Sequence, residues 1–264
     1  MKFLKRLVKK IFFFCGFIIK RTHKNQAFPS NFDEIYNKIF SKNKKIVIFD
    51  IGANKGQSIE RFKKIFPNCI IHAFEPIKDE FESLKKKYQN DKNVHLNNFA
   101  IGSKNEQKKF FINKKSSVSS FHKVNKNTKW LKLTSQEYNV DQSSFLVKEE
   151  LTKIIKLDYY LQKKKISNVD ILKIDTQGSE EEVLNGAKKS FLKNIISIIE
   201  SEIIFDNVYK HRLSFFDLEK YLLPNSFRFV GIETCNNNLF DGYYFFADVL
   251  YVNIKKINLR KYTV

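Results

Sequence analysis

"IVIFDIGANKGQS", residues 46–58, runs four apolar residues into an aspartate and then sets two glycines with three residues between them. An apolar run of this length before a glycine turn reads as a buried strand. Glycines just after a strand let the turn and the next helix approach a ligand closely. A phosphate loop for nucleoside triphosphates needs Gly-Lys-Ser/Thr, whereas Gly56 is followed by Gln57 and Ser58. A dinucleotide loop needs a glycine where Asn54 stands, so that a pyrophosphate can reach the backbone. The remaining pattern, Asp50-x-Gly52-x-x-x-Gly56, suits S-adenosylmethionine, which carries an ammonium and no pyrophosphate. Asp50 is expected to face that cationic ligand. Glu75 ends a second apolar run, 25 residues after Asp50. In doubly wound folds an acid there accepts hydrogen bonds from ribose hydroxyls.

Outward from this stretch the chain alternates strand and helix patterns. Residues 55–66 place Ile59, Phe62 and Phe66 on one helical face, and Phe81, Leu84 and Tyr88 mark a second helix. Residues 69–75 and 94–99 read as the second and third strands. The pattern loosens between 103 and 157. There "QKKFFIN" reads as a strand, the serine-rich stretch after it as a loop, and the surroundings of Trp130 as irregular, so the whole reads as an insertion or lid. Order resumes with a short helix at 158–161 and the strand "VDILKID", 169–175. Ser179 with Glu182 three residues on forms a capping-box pattern for the next helix. A strand at 195–202, a helix at 215–223 and two last strands follow. Such alternation predicts an α/β fold with a doubly wound, mostly parallel sheet.

The 264 residues suit one sizeable domain. Three scattered cysteines, with no Cys/His cluster, fit a reducing, cytoplasmic setting and argue against structural zinc. Net charge is +20, from 48 Lys and Arg against 28 Asp and Glu. Residues 1–24 hold eight basic residues and no acid, and the rest is spread in short lysine runs along helices. Solvated helix faces explain that spread better than a nucleic-acid partner does. The apolar run 11–19 is far shorter than the ~20 residues a spanning helix needs. No cleavage site follows it. Leu4, Val8, Ile11 and Ile18 near one helical face, flanked by lysines, fit a helix lying on an anionic membrane surface, the inner one for a cytoplasmic protein. Packing on the domain or on a partner is the alternative. The expected organisation is 1–24 as this basic amphipathic helix, 25–44 as linker and short helix, 45–254 as the catalytic domain and 255–264 as a basic tail.

"FDIGANKGQS", "HAFEP", "NNFAIG", "ILKIDTQGSEEEVLNGA" and "ESEIIFDNVY" occur in the order seen in FkbM-family methyltransferases, and the chain resembles that family over about residues 45 to 252. The resemblance implies a Rossmann-like class I methyltransferase fold, a seven-stranded sheet with its last strand antiparallel. It also implies S-adenosylmethionine as methyl donor and a hydroxyl on a sugar, glycan or related secondary metabolite as acceptor. Carried over by position, Asp50, Gly52, Asn54, Gly56 and Glu75 look like cofactor contacts, with Asn98 at the adenine. On the acceptor side, Asp175 ends its strand before a glycine turn, at the edge where switch-point geometry places ligands. Alternation puts Lys173 on the same face, where an ion pair would form. Asp175 is the first choice for the base that a poorly nucleophilic hydroxyl needs, with Glu202 and His211 behind it. Ser117, Ser119 and Tyr209 are expected at the acceptor. Two carboxylates on adjacent strand ends could instead hold a divalent metal. The family most often has Asp-x-Glu-Gly where this chain has Asp175-Thr176-Gln177-Gly178, which puts a metal or acid role at Gln177 in doubt. A nucleic-acid methyltransferase would share the cofactor domain, but the Asn/Asp-Pro-Pro-aromatic loop of amino-group base methylation is missing here. A non-catalytic binding protein of the same fold is a third reading. The acceptor's identity and the oligomeric state are not encoded in any motif.

Overall fold

The computed structural model describes residues 31–41, 43–234 and 244–259. The expected membrane-surface helix at 1–24 lies outside them. Among the described residues no helix is long and apolar enough to cross a membrane.

Asn31 opens the first described helix, α1 (Phe32–Ile39), by accepting from the Glu34 N–H at 2.8 Å. Then β1 (Val47–Ile51) leads through the glycine loop into α2 (Gln57–Ile65), and β2 (Ile70–Phe74) into α3 (Lys78–Tyr88). β3 (Val94–Asn97) completes this half. β4 (Ala100–Gly102), β5 (Glu106–Asn113), α4 (Lys129–Glu137) and β6 (Leu146–Lys156) come next. The second half is α5 (Leu157–Lys164), β7 (Val169–Ile174), α6 (Glu180–Gly186), α7 (Lys188–Leu192) and β8 (Ile196–Ile204). α8 (Phe215–Leu222), β9 (Phe227–Thr234) and β10 (Phe246–Asn253) close the fold.

The main sheet has seven strands in the order β3-β2-β1-β7-β8-β10-β9. β1, β2, β3, β7 and β8 pair in parallel, and β10 runs antiparallel to both its neighbours. The mostly parallel sheet with an antiparallel last strand is therefore present. Every residue of β7 is buried, as a central parallel strand requires. Strand alternation feeds two cores. Phe49, Ile51, Leu172 and Ile174 face α5, α6, α7 and α8, while Ile48, Ile71, Ile171 and Ile198 face α1, α2 and α3.

The stretch between β3 and α5 is more ordered than its sequence pattern predicts. β4, β6 and β5 form a second sheet, with β6 in the middle. The surroundings of Trp130 form α4, whose inner side is Trp130, Leu131, Thr134 and Ser135. This small sheet is joined to the main body where α6 crosses β4. A Cβ on Gly186 would come within 2.1 Å of the Gly102 carbonyl oxygen.

The capping box expected at Ser179 does not form. The Ser179 side chain makes no cap hydrogen bond, and its Oγ is buried without a partner. Glu180 braces the turn ahead of the helix, accepting from the N–H of Thr176 at 2.9 Å and of Gly178 at 3.0 Å. A capping box does form at α8, between Ser214 and Asp217.

Candidate active site

Register sets ionisable side chains in rows across the strand ends. Asp50 stands opposite Lys173, and Lys173 opposite Glu200. One step further along the strands Asp248 stands opposite Glu202. Asp175 lies two residues after Lys173, so it shares that face. The rows open into a cavity of about 340 Å³, whose wall includes Lys173, Asp175, Glu200, Glu202 and Asp248.

The glycine loop lines the same cavity. Gly52 has φ 92, and a Cβ there would meet the Asp175 carbonyl oxygen at 1.9 Å. The loop thus passes against the exit of β7 with no room for a side chain. Gly56, at φ 84, is the N-cap of α2, so the helix starts at Gln57 rather than Lys55. Glu75 braces this turn. Its Oε2 accepts from the Asn54 N–H at 2.8 Å and its Oε1 from the Ile77 N–H at 2.7 Å. Burial pushes the Glu75 carboxyl up to about 7, against the pull of those two N–H groups.

Gly52, Asn54, Glu75, Ser117, Ser119, Asp175 and Glu202 all line the one cavity. Asp50 does not. It is fully buried beneath the loop, and neither carboxylate oxygen has a hydrogen-bond partner. Burial pushes its carboxyl up to about 6, while Lys173 pulls it down. Gly56 shapes the turn from outside the wall. Asn98 is also off the wall: its Nδ2 donates to the carbonyls of Glu75 at 3.0 Å and Pro76 at 3.2 Å, fixing the chain after β2. Tyr209 is buried behind the wall, its hydroxyl donating to the Val118 carbonyl at 2.8 Å. His211 is exposed, with its ring 5.6 Å from that of His122, and takes no part in the cavity.

The acid end is held by charge. Lys173 Nζ lies 3.0 Å from Asp175 Oδ2. Burial disfavours the ammonium, but Asp175, Asp50 and Glu200 together raise its pKa. Glu202 is raised well above the usual carboxylate range, first by burial and then by Asp175 and Glu180. Burial and Glu200 likewise push Asp248 up to about 7, against the pull of Lys173.

Sequence reasoning missed three of these groups. Glu200 accepts from Arg61 Nη1 at 2.7 Å and from the Tyr36 hydroxyl, which ties α1 and α2 to the site. Arg61 also pairs with Asp33 at 2.7 Å. The available signal was alternation: Glu200 and Glu202 share a face within an apolar strand. Asp248 was missed as well, since register between distant strands is not written in either of them. Pro76, Ile77, Phe110 and Phe121 supply an apolar wall at the Glu75 end.

A family model described as "Methyltransferase FkbM domain" matches residues 50–229. The chain belongs to the FkbM methyltransferase family. The sheet order and the antiparallel last strand are those of the Rossmann-like class I methyltransferase fold. Similar solved structures include Aeropyrum pernix fibrillarin with bound S-adenosyl-L-methionine, at 11% identity and TM-score 0.43, covering 81% of this chain and 69% of that one. A SAM-dependent methyltransferase from Aquifex aeolicus is similar at 12% identity and TM-score 0.44, covering 84% and 89%. An rRNA methylase from Streptococcus thermophilus is similar at 8% identity and TM-score 0.44, covering 84% and 93%. Among curated protein sequences nothing matches the chain.

Proposed function

We propose that this FkbM methyltransferase uses S-adenosylmethionine to methylate a hydroxyl on a sugar, surface glycan or related metabolite, with carboxylate assistance. The observation that carries this reading is the placing of Asp175 and Glu202 in the same cavity as the glycine loop and Glu75.

The residues present fit the donor. Gly52 and Asn54 put the glycine loop on the cavity wall, where backbone can meet a ligand directly. Glu75 ends β2 on the cavity wall, where each carboxylate oxygen keeps lone-pair capacity beyond one N–H bond. Pro76, Ile77 and Phe110 offer apolar surface for a base. The acid end, with Glu200, Lys173 and Arg61, offers both signs of charge, as the zwitterionic amino-acid end of the donor requires. S-adenosylmethionine supplies an electrophilic methyl on a sulfonium, so no phosphate site is needed.

A hydroxyl acceptor needs its proton removed, and a carboxylate within hydrogen-bond reach serves that purpose. Asp175 is placed for this by the end of β7 and by Lys173. Glu202 beside it is raised above the usual carboxylate range by burial and by the Asp175 charge, which favours its protonated form. Ser117 and Ser119 line the wall across from the strand ends and offer hydroxyls to a polyol.

The test is transfer of labelled methyl from S-adenosylmethionine to candidate surface glycans and their precursors, with and without chelator. Asp175→Asn is expected to lower turnover about 10²-fold or more, the usual worth of a positioned base. Unchanged turnover in that variant would remove Asp175 as the base. Absence of transfer to any glycan, with transfer to another acceptor class, would remove the acceptor reading.

A further inference from the structure

Asp175 and Glu202 belong to different strands, and an amide joins them. Gln177 Nε2 lies 2.9 Å from Asp175 Oδ1 and 2.6 Å from Glu202 Oε2. Its Oε1 lies 3.2 Å from the Tyr209 hydroxyl, and its backbone carbonyl accepts from Ser120 Oγ at 2.6 Å. The backbone of Gln177 sits at φ 56, in the left-handed region that side chains other than those of glycine, asparagine and aspartate seldom adopt. At Gly178, φ is 93, and an added Cβ would meet the His211 carbonyl oxygen at 3.0 Å. Loop, strand end and helix start therefore converge to hold one amide in an uncommon backbone conformation. Such an outlier is a pointer to function.

We propose that Gln177 is a positioning residue: its amide clamps Asp175 and Glu202 into one two-carboxylate unit and fills the place a bridging cation would need. The inference rests on the reading of Asp175 as base. Two carboxylates brought together in a partly buried place repel. An –NH2 group has two hydrogens, one for each carboxylate, and leaves Asp175 Oδ2 to Lys173. A bridging divalent cation needs oxygen lone pairs converging on it, and here the central atom is a hydrogen-bond donor. Among the described residues no three His, Cys, Asp or Glu side chains gather into a metal-holding group. The other charged groups acting on the unit are Lys173, Glu180 and Asp248. Gln177 thus holds one oxygen of each carboxyl within hydrogen-bond reach of a single nitrogen.

The experiment uses the full chain and the variants Gln177→Met and Gln177→Glu. Carbon-detected NMR follows the titration of the carboxyl groups, calorimetry follows Mn²⁺ binding, and thermal unfolding confirms that each variant is folded. Gln177→Met keeps the side-chain volume and loses both donors. Its Asp175/Glu202 unit is expected to titrate about one pH unit or more higher than in the wild type, because an ionised carboxylate loses a donor. Gln177→Glu places a third carboxylate among the other two, and is expected to bind one Mn²⁺ at least tenfold more tightly than the wild type. Unchanged titration in Gln177→Met, or Mn²⁺ binding in Gln177→Glu no tighter than in the wild type, overturns the proposal. Neither readout depends on the acceptor. Unchanged methyl transfer in Asp175→Asn removes the base instead, and does so independently of what the Gln177 variants show.

Discussion

Glu75 holds two backbone N–H groups with its two carboxylate oxygens, and burial keeps its carboxyl near pH 7. The ionised form accepts more strongly on both oxygens than the protonated form, which turns one of them into an O–H donor. Calorimetry with S-adenosylmethionine should therefore show affinity rising between about pH 6 and pH 8 in the wild type. Glu75→Gln should bind at least tenfold more weakly and without that rise; an equal rise in the variant would assign the titration to another group. Glu75 was legible from the sequence, as were Gly52, Asp175 and its ion pair with Lys173, because alternation and a strand end fix both face and edge. Depth is another matter. Asp50 shares its face with Gly52 but lies two residues further from the edge, and it is fully buried beneath the loop, off the cavity wall. Asn98, Tyr209 and His211 follow strand ends or lie in loops, where side-chain direction depends on turns that no period encodes. Tyr209 reaches the site only through Gln177 and Val118.

At the scale of elements, helix starts show where local patterns compete. Ser179-x-x-Glu182 and Ser214-x-x-Asp217 both look like caps, yet only the second closes. Glu180 has already bound the Thr176 and Gly178 N–H groups, and Glu182 lies 3.7 Å from His122 Nε2 instead. Urea unfolding should separate the two: Ser214→Ala is expected to cost about 1 kcal/mol, and Ser179→Ala well under about 0.5. Glu180→Ala should cost about 2 kcal/mol by orphaning buried N–H groups. A large loss for Ser179→Ala alone would show that the serine caps its helix after all. The strands and helices of the main sheet were legible because each buries a continuous apolar face. β6 was not, since its first residues are mostly exposed on both faces and the period of two washes out. α4 was hidden for a related reason, as Thr134 and Ser135 complete its buried side.

The molecule as a whole carries a cost in its row of buried carboxyls. Asp50, Asp248 and Glu75 are raised to about 6, 7 and 7. Each binds its proton more tightly folded than unfolded, so the stability it lends is fully present below about pH 4 and lost as pH rises to about 7. The melting temperature without ligand should accordingly fall from pH 5 to pH 8, and Asp248→Asn should make that fall shallower and raise the melting temperature at pH 8. An unchanged slope in the variant would rule out Asp248 as a contributor. The mostly parallel sheet followed from the alternation of strands and helices; the charge network did not, because it is assembled from α1, α2, β1, β7, β8 and β10. The seat of α6 on β4 has a use for protein engineering. Gly186 and Gly102 meet backbone to backbone, and a Cβ on Gly102 would also come within 2.8 Å of Ile154. Nothing larger fits on either side of that joint. A chimera that swaps residues 103–153 between relatives should therefore cut after Gly102 and rejoin before Ile154, so that this joint stays with one parent while Phe110 and the serine stretch of the cavity wall come from the other.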